Sequence, residues 1–392
     1  MSNSVKQAHI VHGMSQAGLR SLKRAIYAVC LCTAVPVFSQ VVDLFEARTH
    51  RTAYDTVVYR LFVPAHYDGN TEYPIILTFH GAGERGDNNY SQLANNVVTP
   101  WFADSFQARH PCFIVSPQCP VDEKWADFSW SSTTYRVSST PISAAMRTVL
   151  SLLDSLKREF SLDTNRFYVC GLSMGGCGSW DIIARYPDMF AAAVPVCGVG
   201  DSSAATDLQK TAIWAYHGTL DPTVPVAGSR GPLSSLEGRG NTVVRYISKQ
   251  DGGNANMSWD TLTAKVAAGA DYIYTEYTDG VHGIWNTAFL NPLLPEWLLS
   301  KVKNRGNTRI SLSRGLHTAK PVLFTTQSNG TIQVKAAGGY HLNMYSVTGV
   351  MVASYERIGP GNVHVTHIPN GVYFVALRCK QGIQRGVLSK ID

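Results

Sequence analysis

The 392-residue sequence predicts an α/β class, a mainly parallel sheet with helices on both faces, followed by a small all-β sandwich. Three observations predict it. Between about residues 55 and 300, apolar strand-like runs alternate with helix-like stretches, as in the βα units of a parallel sheet. Runs such as Tyr73 to Phe79 are almost continuously apolar, which suits strands buried on both faces. Beyond Asn304 the composition turns polar and then breaks into short strands with turns.

In chain order the strands are Val57 to Val63, Ile75 to Phe79, Phe113 to Ser116, Phe167 to Cys170, Ala192 to Val196, Ile213 to Tyr216 and Tyr272 to Tyr277. The clearest helix is Ser143 to Phe160, where Met146, Val149, Leu153, Leu156 and Phe160 form one apolar stripe. The strand Arg166 to Cys170 runs into Gly171-Leu172-Ser173-Met174-Gly175, which opens a helix toward Arg185. In that setting G-x-S-x-G puts the serine on a strained turn that lifts its Oγ above the sheet, and bulky neighbours would clash. Later, Ala212 to Gly218 is an apolar strand ending in the turn that carries Asp221, and Tyr272 to Tyr277 precedes Asp279-Gly280-Val281-His282-Gly283.

The order serine, acid, histidine is that of α/β-hydrolases and differs from the chymotrypsin and subtilisin orders. It makes Ser173 the candidate nucleophile, His282 the base and Asp221 the acid, with Asp279 as a second acid candidate. Upstream, Tyr73 to Phe79 leads into His80-Gly81-Ala82-Gly83-Glu84-Arg85-Gly86, whose small residues let backbone N–H groups approach an oxyanion. The expected donors are Met174 and Ala82, with Gly81 and Gly83 shaping the loop. Glu84, Arg85, Gln118 and Trp285 are candidate cleft residues, each equally readable as a satisfied rim residue. His80 and His217 read as structural, hydrogen-bonded residues, because the base must follow the last strand.

His80 to Asn88, Ser116-Pro117-Gln118, Asp163 to Gly176, His217 to Pro225 and His282 to Trp285 together resemble the α/β-hydrolase serine esterases of the feruloyl-esterase, polyhydroxybutyrate-depolymerase and dienelactone-hydrolase group. Phospholipase/carboxylesterase and prolyl-oligopeptidase-like enzymes are similar. The resemblance spans about residues 50 to 300 and implies a carboxylic-ester hydrolase that works through an acyl-enzyme, with no cofactor and no metal. Its substrate would be a small ester or an acyl or feruloyl ester of a polysaccharide. One stretch departs from the pattern: between Ser229 and Tyr272 the helix before the last strand looks expanded, with Val243 to Ile247 and Trp259 to Ala268 reading as a surface insertion or part of a lid.

Composition suits that reading and excludes others. The hydrophobic fraction of 45% is that of a globular protein. The formal charge of +6 lies at the ends, since residues 1–39 hold four Lys or Arg and no acid, and residues 305–392 hold ten against two acids. Residues 40–304 are therefore net acidic, which argues against nucleic acid as partner. Arg20, Lys23 and Arg24 precede the apolar run Ala25 to Phe38, so residues 1–39 read as a secretory signal peptide cleaved before Gln40; the mature protein would carry no transmembrane span. Six cysteines would remain: Cys112, Cys119, Cys170, Cys177, Cys197 and Cys379. The strand-end positions of Cys112, Cys170 and Cys197 favour buried small hydrophobes over bridges, Cys177 just inside the helix after the elbow reads as packed, and no spacing resembles a zinc site.

The domains are thus residues 40–304 for the hydrolase, 305–320 for a linker and 321–392 for the β-sandwich. Tyr345-Ser346-Val347-Thr348-Gly349, Asn370-Gly371-Val372-Tyr373 and Lys390 resemble the type IX secretion sorting domain of Bacteroidetes, which implies an outer-membrane or secreted protein that engages the secretion machinery. A carbohydrate-binding module is the rival for this domain. For the whole chain, a prolyl-oligopeptidase-type peptidase and a non-catalytic binding or scaffold protein are the alternatives.

Overall fold

The structure, a computed structural model, describes residues 41–303 apart from Tyr54 and His66, together with 324–326, 331–335, 339–346, 351–365, 371–379 and 382–390. The expected signal peptide, the linker and the Val347-Thr348-Gly349 part of the sorting motif lie outside the described residues. The chain divides into two compact units, Met1–Gly306 and Asn307–Asp392.

The first unit is built on one sheet of nine strands: β1 (Glu46–Arg51), β2 (Thr56–Phe62), β3 (Tyr73–Phe79), β4 (Phe113–Pro117), β5 (Leu162–Leu172), β6 (Ala192–Val196), β7 (Ala212–Gly218), β8 (Val243–Ser248) and β9 (Tyr272–Tyr277). Their spatial order is β1-β2-β4-β3-β5-β6-β7-β9-β8. Pairing is parallel from β4 through to β8, and β2 alone runs against the rest. Strand β5 is central, so whatever follows its carboxyl end stands where open α/β sheets bind ligands.

Alternate residues of the central strands enter two cores. Ile75, Leu77 and Phe79 pack with Phe113, Val115, Phe167 and Val169 on one face, whereas Ile76, Ile114, Tyr168 and Cys170 face the other. Because both faces are covered, these strands must be apolar throughout, which is why the sequence shows runs there. The first face is covered by helix α1 (Ala144–Glu159), with Met146, Val149, Leu152, Leu153 and Leu156 buried, and by α2 (Met174–Arg185). Ser143 caps α1: its Oγ accepts from the Met146 N–H at 3.1 Å.

The two edges account for the strands that sequence reasoning missed or misread. Strand β1, with sequence EARTHR, is half-exposed or exposed along its length. Its charged side chains protect an edge from further pairing, and they also hide the strand from an apolar-pattern search. The stretch between Ser229 and Tyr272 is built into the far edge of the sheet. Helix α3 (Ala227–Gly238), strand β8 and helix α4 (Trp259–Ala267) form two ordinary crossovers, with β8 as the far edge strand parallel to β9. In β8 only Val244, Tyr246 and Ser248 are buried, the one-sided pattern of an edge.

The second unit contains strands β10 (Phe324–Thr326), β11 (Thr331–Val334), β12 (Gly339–Ser346), β13 (Met351–Ile358), β14 (Gly361–His364), β15 (Gly371–Cys379) and β16 (Gly382–Lys390), which form a three-stranded sheet, β10-β11-β14, and a four-stranded sheet, β13-β12-β15-β16, antiparallel throughout. Ile332, Val334 and Val363 from one sheet share a core with Tyr340, Leu342, Met344, Val375 and Leu377 from the other, the arrangement of a sandwich. Strands β10 (Phe324–Thr326) and β16 (Gly382–Lys390) were not anticipated.

Candidate active site

Ser173 stands between β5 and α2 with φ 54° and ψ −118°. A non-glycine residue in that conformation stores about 1–3 kcal/mol of strain and needs surroundings that enforce it. They do so through the backbone: Ser173 N–H donates to the Val196 carbonyl at 2.8 Å, and the Ser173 carbonyl accepts from Cys177 N–H at 3.0 Å. The glycines of the motif are required by contact. A Cβ on Gly171 would lie 2.3 Å from the Gly175 carbonyl oxygen, and one on Gly175 would lie 2.1 Å from that of Phe79. Gly175→Ala is therefore expected to destabilise the protein by about 3 kcal/mol or more, read as a lowered urea midpoint at unchanged m.

The chain brings the three distant candidates together. Ser173 Oγ lies 2.8 Å from His282 Nε2, and His282 Nδ1 lies 2.8 Å from Asp221 Oδ2. Asp221 Oδ1 accepts the Thr223 and Val224 N–H groups, each at 2.9 Å. Burial works against a charge on Asp221, but donation from His217, His282 and these two amides outweighs it and holds the carboxyl well below the usual carboxylate range. An ionised Asp221 only accepts, so the imidazole proton sits on Nδ1 and the Nε2 lone pair faces the serine hydroxyl. Asp279 is elsewhere: it is exposed, and its Oδ1 accepts from Gln250 N–H at 3.0 Å.

The turn carrying Asp221 is anchored by a carboxylate that the sequence did not single out. Glu276, buried within β9, accepts from Thr219 Oγ1 at 2.7 Å, Tyr274 Oη at 2.8 Å and Arg230 Nε at 2.8 Å. A glutamate inside the run Tyr272 to Tyr277 was the available signal, since a buried charge must be paired.

A Cβ on Gly81 would be 3.7 Å from Ser173 Cβ, so the loop after β3 lies against the elbow. Among the described residues, neither Ala82 N–H nor Met174 N–H has an acceptor within the protein. For Met174 this follows from its place in the first turn of α2. For Ala82 it follows from His80, whose Nε2 accepts Cys119 N–H at 2.9 Å and whose Nδ1–H therefore donates to the Gly81 carbonyl at 2.6 Å. In a trans peptide the N–H points opposite to the C=O, so fixing the Gly81 carbonyl aims Ala82 N–H the other way.

Burial lowers the His80 pKa from its ordinary 6.5 to about 4. Folding thus disfavours the protonated ring: the stabilisation is complete above pH 6.5 and is lost as pH falls through about 4. A shift of this size is about 3 kcal/mol, and His80→Gln is expected to flatten the dependence of unfolding free energy on pH across that window.

The other candidate residues divide. Trp285 meets His282 edge to face, with ring centroids 5.2 Å apart. Glu84 is half-buried beside the loop, its Oε1 accepting from Asn95 Nδ2 at 2.7 Å, and burial pushes its carboxyl up. Arg85 donates to the Ala82 and Glu123 carbonyls at 3.0 and 3.3 Å, so it braces the loop. Gln118 is buried and does not face the cleft. Its amide is spent on the Asn89 N–H at 2.7 Å, the Glu84 carbonyl at 2.9 Å and Asn88 Oδ1 at 3.0 Å. A side chain at a strand end can point to either side, and here it points under the loop. Gly83 is exposed on that loop. The five described cysteines, Cys112, Cys119, Cys170, Cys177 and Cys197, are free and buried, and the Cys379 side chain lies outside the description.

Comparison with known proteins gives the family. The profile of the Esterase family matches residues 54–261. The chain is 26% identical over 205 residues, 51% of its own length and 27% of the relative's, to a bifunctional acetylxylan esterase/xylanase of Neocallimastix patriciarum. It is 38% identical over 89 residues, 22% of its length and 21% of the relative's, to a poly(3-hydroxyalkanoate) depolymerase of Paucimonas lemoignei. The matches thus span about a quarter of these two curated relatives. The crystal structure of a thermostable esterase is similar at 32% identity and a TM-score of 0.55, covering 67% of this chain and 64% of that one. With more than half of its length matched by the family profile and the nine-stranded, mainly parallel sheet of an α/β-hydrolase beneath, the chain belongs to the Esterase family.

Proposed function

We propose that the protein is a serine carboxylic-ester hydrolase acting through an acyl-enzyme on acyl esters, acetyl or feruloyl, carried by polysaccharides or small alcohols. The observation that carries the reading is the relay of Ser173 Oγ, His282 and Asp221 at 2.8 Å per step. His282 Nε2 takes the Ser173 proton as Oγ attacks the ester carbonyl, and returns it to the departing alcohol. Asp221 keeps the ring in the Nδ1–H tautomer and balances the imidazolium. The N–H groups of Met174 and Ala82 receive the oxyanion, each donor being worth about 3 kcal/mol in enzymes of this kind. Water then repeats the sequence on the acyl-enzyme.

The polysaccharide side of the reading is supported by the acetylxylan esterase/xylanase relative; the depolymerase relative makes hydroxyalkanoate oligomers the rival substrate. Export is part of the proposal, resting on the basic-then-apolar stretch from Arg20 to Phe38, with the C-terminal sandwich as a type IX sorting domain on the strength of its motifs. Among the described residues no helix is long and apolar enough to cross a membrane.

The test is hydrolysis of p-nitrophenyl acetate, methyl ferulate, acetylated xylan and 3-hydroxybutyrate oligomers, with a prolyl p-nitroanilide as the peptidase control. Turnover of acetyl or feruloyl esters abolished by Ser173→Ala is the expected result. Cleavage of the anilide alone would move the protein to the peptidases.

A further inference from the structure

The acid of the relay has another histidine beside it. His217, the last residue but one of β7, is fully buried, and its Nε2 lies 3.0 Å from the Val224 carbonyl and 3.4 Å from Asp221 Oδ2. Both neighbours accept only, so Nε2 must carry a proton. On the other side of the ring, Nδ1 lies 2.8 Å from Ser229 Oγ, which itself reaches the Gly198 carbonyl at 3.1 Å. The ring is therefore pinned between α3 and the acid turn, its N–H bifurcated over the Val224 carbonyl and the same Asp221 oxygen that His282 uses. Cys197, at the end of β6, comes close enough that its sulfur and the ligating atoms of His217 and Asp221 all lie within 4.8 Å of one another. It too is held in an unusual backbone conformation, φ 50°.

We propose that His217 is a positioning residue of the triad, whose Nε2–H fixes the direction of Asp221 Oδ2 and takes up part of its charge, thereby setting how strongly Asp221 favours the protonated form of His282. This rests on the triad reading above. The charged or titratable groups facing the cluster are Cys197 after β6, Cys177 from α2 beside it, His217 from β7, Asp221 from the turn and His282 from the loop after β9. From α3 only the Ser229 hydroxyl faces it, since Arg230 is turned to Glu276. Without the His217 donor the full charge of Asp221 acts on His282, so the imidazolium is favoured. The free base then forms only at higher pH. Freed of one anchor, the carboxylate also presents the ring to Ser173 less well.

Two amide substitutions separate this from a packing role. In His217→Gln the amide N–H reaches the Nε2 position, whereas in His217→Asn it reaches only the Nδ1 position, keeping the Ser229 contact and withdrawing the donor from Asp221. Kinetics are measured with p-nitrophenyl acetate on the full chain, normalised to the fraction of Ser173 titrated by a fluorophosphonate. The expected result is that His217→Asn lowers kcat about 10-fold at little changed KM and moves the acid limb of kcat/KM to higher pH, while His217→Gln restores both. An acid limb and a normalised kcat equal to wild type in His217→Asn would overturn the proposal, as would equal losses in both variants without a limb shift. Should His217→Asn not fold, His217→Met, which fills similar volume but carries no donor for Asp221, is read for the same limb shift, and its absence overturns the proposal. A wild-type protein that neither hydrolyses the ester nor reacts with the fluorophosphonate would instead remove the triad reading itself.

Discussion

Ser173→Ala is expected to lower kcat for p-nitrophenyl acetate by at least about 10³-fold, as when a covalent nucleophile is removed. KM should change little, because the hydroxyl contributes to the reaction rather than to holding the ester. The substitution leaves the elbow's backbone bonds to Val196 and Cys177 in place. It also retains a Cβ in the same strained conformation, so the urea midpoint should stay near wild type. What remains would be the background from oxyanion donors and binding, not a second nucleophile: the described cysteines are buried, and burial raises the thiols of Cys170, Cys177 and Cys197 well above their ordinary range. Retention of more than a tenth of the activity would mean that the acyl group is not carried by this serine.

Asp221→Asn should cost about 10³- to 10⁴-fold in kcat, and the geometry says why. Oδ1 of residue 221 receives two backbone N–H groups, so an amide at this position must place its oxygen there and turn its NH₂ toward His282. Nδ1 would then have to accept, which moves the ring proton to Nε2, where it faces Ser173 as a donor. The ring could no longer take the serine proton. The loss should appear in kcat and kcat/KM together. An NMR measurement of the His282 ring nitrogens should show the tautomer exchanged; an unchanged tautomer with full activity would refute the assignment of Asp221.

Comparing the chain's pattern with its fold separates what local chemistry announces from what it conceals. The central strands were legible because burial on both faces demands apolar residues at every position, and α1 because its stripe follows the helical period. The elbow was legible because only glycine tolerates the contacts found at Gly171 and Gly175. Strand β1 was not, since an edge facing water needs charge rather than apolar residues. Strand β8 was visible as a run of β-formers, but its membership in the sheet depends on pairing with β9, a partner nearly thirty residues on. Gln118 stayed open between cleft and rim because a strand end gives position and not side-chain direction; its amide is spent on Asn89, Glu84 and Asn88.

By itself the sequence determined the α/β class, the chain order of the candidate serine, acid and histidine, and the glycines that the tight turn cannot do without. These depend on short-range sterics and on the period of burial, which are written locally. In the tertiary structure Asp221, the acid the sequence favoured, meets His282 and Asp279 does not; that structure alone decided that, among the described residues, Ala82 N–H has no acceptor while His80 holds the neighbouring carbonyl, and that Glu276 and His217 support the acid turn. Each of those outcomes depends on the direction of a side chain across segments far apart in the chain. Spacing along the chain carries no information about that direction until the sheet has formed and its loops have been brought to one edge.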